Sequence, residues 1–194
     1  MPAYHSVFLQ ETNVPLIGNF PLLPLRTRTR GPAYTLPPLP PNVDATALDP
    51  NDEAYDIVDE ALALFRANTL FRNFEIRGPA DRALIYATLF IADCLSRLAA
   101  AARPTPPVAR DAEKILLNAA LLDSFAIPGD PAFPLNQAFE PPRDAREAET
   151  LRAYLSQLRQ EVALRLVARV YAGGDTPSKW WLSFARRKFM GKSL

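Results

Sequence analysis

The sequence predicts an all-α fold, an irregular helical domain with one central helix surrounded by others and an extended Pro-rich N-terminal arm. Three observations predict it. Apolar residues recur at three- and four-residue steps in several segments after Asp52, which is the spacing of one helix face. The run Ala83 to Ala92 is apolar or neutral on every side, as a helix at the centre of a bundle must be. Half of the twenty prolines fall in the first fifty residues, where they remove backbone donors and fix φ. At 194 residues a single domain is expected, residues 1–50 forming the arm and 51–194 the helical body.

Each element has its own signal. Pro37, Pro38, Pro40 and Pro41 are almost contiguous, so residues 15–50 read as extended or polyproline-like. Such a run can serve a polyproline-reading module, but a plain spacer needs no partner. Ile57, Val58, Ala61, Leu62 and Phe65 mark an amphipathic helix that runs to about Phe74, with acids in its first turn. Gly78-Pro79 breaks the chain and restarts it, Pro79 taking the first helical position of the apolar helix. Arg103 to Pro107 closes that helix. A third is expected over 108–125, with Ile115, Leu116, Ala119 and Leu122 on one side.

The stretch 127–142 has no periodicity and reads as a packed loop, either functional or simply covering the core with Phe133, Leu135 and Phe139. Asp144, with Glu147 three residues on, is an N-cap signal. Leu151, Leu155, Leu158, Val162, Leu166 and Val170 then describe a long helix that Gly173-Gly174 ends. Thr176 caps a last helix with Pro177 at its first position.

That last segment, 176–194, holds both tryptophans (Trp180, Trp181), five cations (Lys179, Arg186, Arg187, Lys188, Lys192) and no acid. Rigid aromatic area beside positive charge suits contact with an acidic partner, although paired tryptophans also plug a protein's own core. Opposite in sign is the stretch from Asp44 to Glu60, with seven acids and no Lys or Arg. It reads as a solvated face or as charge gathered at a helix N-terminus. Arg26, Arg28 and Arg30 make a smaller cationic group.

Chemistry of the usual kinds has little to work with. His5 is the only histidine and Cys94 the only thiol, the latter in the most apolar stretch, and no Cys/His spacing suggests a metal. The string from Gly173 to Lys179 resembles a phosphate loop only superficially, because it lacks a glycine before its lysine and carries Pro177. No enzyme, cofactor or metal is therefore expected. No apolar run reads as long enough to insert in a membrane, the N-terminus lacks the features of a secretory signal, and a lone cysteine forms no internal disulfide. A cytoplasmic location is the default expectation. A net charge of +1 gives no general pull toward nucleic acid.

Specific strings then carry a resemblance that runs nearly end to end. Met1-Pro2-Ala3-Tyr4-His5-Ser6, Leu16-Ile17-Gly18-Asn19, Asp56-Ile57-Val58-Asp59-Glu60-Ala61, Leu84-Ile85-Tyr86, Ile127-Pro128-Gly129 and Phe133-Pro134-Leu135-Asn136 lie in the first two thirds. Arg152-Ala153-Tyr154-Leu155, Gln157-Leu158-Arg159-Gln160-Glu161, Pro177-Ser178-Lys179-Trp180-Trp181 and Lys192-Ser193-Leu194 follow. With these the chain resembles the family of small subunit 3, the 21 kDa subunit, of the actin-related protein 2/3 complex.

The resemblance implies an all-helical, non-catalytic subunit that packs mainly against the actin-related protein 3 subunit of a seven-subunit assembly, one that nucleates branched actin filaments. It implies a position near the start of the daughter filament, in the actin cytoskeleton, with nucleotide belonging to the actin-related subunits. Residues 34–50 look longer and richer in proline than the family pattern, and 99–107 look variable. No ligand motif is carried across with the resemblance. The expected partner-binding residues rest on physical character alone: Lys179, Trp180, Trp181, Arg186, Arg187 and Lys188, joined by Phe133 and Phe139. The competing expectation is a freestanding basic helical adaptor for RNA or an anionic membrane surface, whose binding would collapse as salt rises.

Overall fold

The computed structural model describes residues 4–122 and 124–194. Its helices are α1 (Ile57–Asn68), α2 (Pro79–Ala101), α3 (Ala109–Ala120), α4 (Ala145–Val170) and the single turn α5 (Lys179–Leu182). A hairpin of β1 (Leu16–Ile17) and β2 (Phe20–Pro21) pairs antiparallel, Leu16 with Pro21 and Ile17 with Phe20. Turns of 3-10 helix lie at Val7–Gln10 and Phe189–Gly191.

Helix α2 sits at the centre and touches α1, α3, α4, α5, β2 and both 3-10 turns. All ten residues from Ala83 to Ala92 are buried. Because this stretch is buried throughout, the Thr88 hydroxyl must be satisfied internally, and Thr88 Oγ1 donates to the Leu84 carbonyl at 2.7 Å. Each fully buried Leu, Ile or Phe contributes roughly 1.5–3 kcal/mol. The helix begins at Pro79 behind Gly78 as its dipeptide signal requires. It is longer than its uncharged run, and by length and composition alone it could cross a membrane; here it is mostly buried within the protein as a core helix.

The apolar stripe of α4 (Leu151, Leu155, Leu158, Val162, Leu166, Val170) is buried throughout. Asp144 caps it by accepting from the Glu147 N–H at 2.8 Å. The Glu147 carboxylate reaches back one residue further than a capping box would, to the Arg143 N–H at 2.9 Å.

Several boundaries differ from the sequence expectation. Helix α1 stops at Asn68 rather than near Phe74, and Phe74 instead turns into the core from a loop. Helix α3 ends at Ala120, which leaves Leu122 beyond it and exposed. The last helix is capped by Ser178, not Thr176, and is one turn long.

The fold is mostly helical and not purely α, since β1 and β2 form a small sheet. Nor do the first fifty residues stand apart as an arm: Ile17, Phe20, Leu23 and Leu25 are buried in the same core as the helices. The hairpin turns on Gly18 at φ +58°, where an added Cβ would collide with the Glu140 carbonyl. Leu25 forms a parallel bridge with Thr35. Residues 37–53, prolines included, are exposed apart from Leu39 and Leu48, which are half-buried.

Candidate interaction surface

The C-terminal segment is held from below and open above. The Ser178 N–H donates to the Val170 carbonyl at 2.8 Å, so the segment starts directly off the end of α4. Phe184 and Phe189 are the buried anchors. Phe184 meets Phe65 of α1 edge-on at 6.0 Å, Phe189 meets Phe74 at 6.1 Å, and Ser96 of α2 donates to the Ala185 carbonyl at 2.7 Å.

The two tryptophans divide the possibilities that the sequence left open. Trp181 lies half-buried and stacked on Phe65 at 6.2 Å. Trp180 stands edge-on to Trp181 at 5.0 Å and to Phe184 at 5.2 Å with 46% of its surface exposed. The Arg66 guanidinium lies 5.8 Å from the Trp180 ring. Lys179, Arg186, Arg187 and Lys188 are all exposed, and none makes an ion pair with a described residue. Across from them, Thr69, Leu70, Phe71 and Arg72 form the other wall of a cleft lined by Arg187, Lys188, Met190 and Gly191. Leu70 is 55% exposed. The surface therefore joins unneutralised cations to exposed aromatic and aliphatic area. Arg66, Leu70 and Arg72 belong to it but stand a hundred residues away in sequence, which is why the sequence reading missed them.

Phe133 and Phe139 do not reach this surface. They pack on each other at 5.2 Å, Phe139 stacks on Phe20 of the hairpin, and both are buried. The loop 127–142 that carries them covers the core. It is pinned by Arg152 to Asp130, by Arg82 Nε to the Ala138 carbonyl, and by Asn19 to both Ala138 and Glu140.

The acidic stretch splits in two. Asp44, Asp49, Asp52 and Glu53 are exposed, whereas Asp56, Asp59 and Glu60 are almost wholly buried. Asp56 caps α1 through the Val58 and Asp59 N–H groups, both at 3.1 Å. Its two oxygens also accept from the Arg165 guanidinium of α4 at 2.6 and 2.8 Å. Asp59 takes both terminal nitrogens of Arg26, at 2.7 and 3.0 Å, and a third contact from Arg165 at 3.0 Å.

Burial would raise the Asp59 pKa, but the Arg26 hydrogen bond and the charges of Arg165 and Arg26 outweigh it and hold the carboxyl below its usual range. The same carboxylates keep Arg165 charged against its own burial. Glu60 has no cationic partner among the described residues. Burial pushes its pKa up, opposed by hydrogen bonds from Ser6 and Val7, with the Asp81 charge adding to the rise. Sequence spacing alone could not separate this inward half from the solvated one.

Cys94 is buried, and desolvation pushes its thiol pKa well up, which makes it a poor nucleophile. His5 is tied to Asp81 at 2.8 Å. Among the described residues no group of His, Cys, Asp and Glu could hold a metal ion.

A family model described as P21-Arc, the ARP2/3 complex ARPC3 (21 kDa) subunit, matches residues 1–194. The chain is 50% identical over 196 residues to actin-related protein 2/3 complex subunit 3 of Schizosaccharomyces pombe and 48% identical over 199 residues to that of Saccharomyces cerevisiae, each covering 100% of both chains. It is 40% identical over 187 residues to the subunit of the same name from Arabidopsis thaliana, covering 96% of each. With a cationic aromatic face outside, a closed helical core inside and relatives matched along their full length, the chain belongs to the family of 21 kDa ARP2/3 complex subunits.

Proposed function

We propose that this chain is a non-catalytic structural subunit of the actin-related protein 2/3 complex, in the cytoplasmic actin cytoskeleton. On this reading it packs against the actin-related protein 3 subunit and so supports nucleation of branched filaments. Its contact surface is Lys179, Trp180, Trp181, Arg186, Arg187 and Lys188, extended by Arg66, Leu70 and Arg72. Family membership supports the complex. The observation that favours this particular surface is Trp180, a large ring left half exposed on buried aromatic supports among cations that pair with no acid among the described residues. Residues of that kind dominate the energy of protein interfaces. The helical body offers no comparable reason to leave such a ring in water.

The test is Arg186→Glu together with Arg187→Glu. Both side chains are exposed, so helicity and melting should hold while copurification with the other subunits falls. Full-yield incorporation of the double variant rejects the surface. A salt-sensitive complex with RNA or anionic vesicles in place of those subunits would favour the adaptor reading instead.

A further inference from the structure

The chain's own N-terminal segment is gripped in the manner of a bound peptide. The Tyr4 N–H donates to Asn68 Oδ1 at 3.0 Å, and Asn68 Nδ2 donates to the Tyr4 carbonyl at 3.1 Å. His5 Nδ1 lies 2.8 Å from Asp81 Oδ2, and the Ser6 N–H donates to Asp81 Oδ1 at 2.9 Å. The Ser6 hydroxyl and the Val7 N–H both donate to the Glu60 carboxylate, each at 2.7 Å.

Glu60, Asn68 and Asp81 are 1%, 1% and 0% exposed, yet they come from two different helices and none pairs with an Arg or Lys side chain. Polar groups buried this deeply need partners, and here the partners are mostly the main chain of residues 4–7. The fit continues beyond them. Phe8 stacks on Tyr55 at 6.1 Å, and Leu9 lies so close to Gly78 that a Cβ there would come within 2.8 Å of its Cδ2.

This seat connects to the cationic cleft at two points. Asn68, which reads Tyr4, is followed at once by Thr69–Arg72, one wall of that cleft. Phe74 takes the His5 ring on one side at 5.2 Å and the Phe189 ring on the other at 6.1 Å, and Phe189 opens the turn that forms the opposite wall.

We propose that Glu60, Asn68 and Asp81 form a peptide-binding site whose ligand is this chain's own Tyr4–Val7 segment, and that its occupancy fixes the two walls of the cleft lined by Arg72, Arg187 and Lys188. The functional consequence, control of partner docking, rests on the proposed interaction surface; the coupling itself does not.

The experiment is amide hydrogen exchange on the full-length chain carrying Ser6→Ala and Val7→Pro. Ser6 has φ −68° and ψ 138°, the conformation preferred before proline, and Val7 is the first residue of its 3-10 turn. The pair of changes therefore removes the two donors to Glu60 with little strain. Charge-assisted bonds of this kind, once lost, should speed local opening roughly tenfold or more. We expect faster exchange across residues 4–10, 69–77 and 187–191 with α4 unchanged.

Quickening confined to residues 4–10 overturns the coupling. Should α4 also open, His5→Ala alone replaces the pair. It removes the ring contact to Phe74 and the contact to Asp81 Oδ2, and must quicken 187–191 for the proposal to stand. Copurification with the other subunits is measured in parallel. Quickened walls with undiminished incorporation support the coupling and count against the docking surface, so the two readings fail separately.

Discussion

Two charge clusters of opposite sign, equally conspicuous in the sequence, take opposite sides of the protein surface. At the start of α1, Asp56 and Asp59 turn inward and are met by Arg26 and Arg165, four charges brought together from three distant segments. At the C-terminus, Lys179, Arg186, Arg187 and Lys188 turn outward with no described acid beside them. The inward charges are internally compensated and hold the N-terminal segment to α1 and α4. The outward ones contribute little to the fold, because exposed charges rarely do. Where a charge finds its counter-charge therefore separates the structural charges of this chain from the solvated ones better than composition does.

The comparison breaks first, if it breaks, at Arg165. Arg165→Met leaves Asp56 with only Arg26's backbone N–H and its own cap, and Asp59 with the Arg26 guanidinium and the Asp56 N–H, so unfolding free energy should fall by about 3–5 kcal/mol. Urea denaturation measures it. A loss below about 1 kcal/mol would mean that the inward cluster is not structural.

Next comes Trp181→Ala, which strips the half-buried ring from Phe65 and should cost roughly 2 kcal/mol, against under about 1 kcal/mol for Trp180→Ala. Partner retention should show the reverse order, with Trp180→Ala the more damaging. Equal effects of the two on both readouts would erase the distinction between anchor and contact.

Acidification sharpens the contrast within the inward cluster itself. Asp59, with its pKa lowered, stabilises the fold above its ordinary value of 3.8, and that contribution is lost as pH falls through the folded value. Glu60 has the opposite sign. Its pKa is raised, so its contribution is full below the ordinary 4.5 and lost as pH rises through the folded value. Relative to Glu60→Gln, the unaltered chain should therefore gain stability on going from pH 7 to pH 5. Thermal melts of both at the two pH values test the sign. Smallest of all is the expected effect of Arg186→Glu with Arg187→Glu on stability, within about 0.5 kcal/mol, while its effect on assembly is the largest.

Legibility followed sequence distance. The Gly78-Pro79 start of α2, the Asp144 cap and the stripe of α4 are local signals, and each stands where the sequence put it. Helix α1 is expected to run to about Phe74, but the chain leaves it after Asn68, and Phe74 is buried from a loop against His5 and Phe189. The first fifty residues read as an arm because proline excludes helix; proline does not exclude burial, and Phe20, Leu23 and Leu25 are core. Phe133 and Phe139 had two readings, partner contact or core cover, and the hairpin packed over them places them in the core.

By itself the sequence determined which segments form the main helices, the central position of α2 and the family to which the chain belongs. These rest on spacing and on strings, and both are written along one dimension. Only the tertiary structure decided which acids are buried, which tryptophan is free, and that residues 4–7 occupy a seat built by α1 and α2. Each of those depends on what a side chain meets far along the chain, from Arg26 against Asp59 to Trp181 against Phe65, and charge or burial has no value until that neighbour is in place.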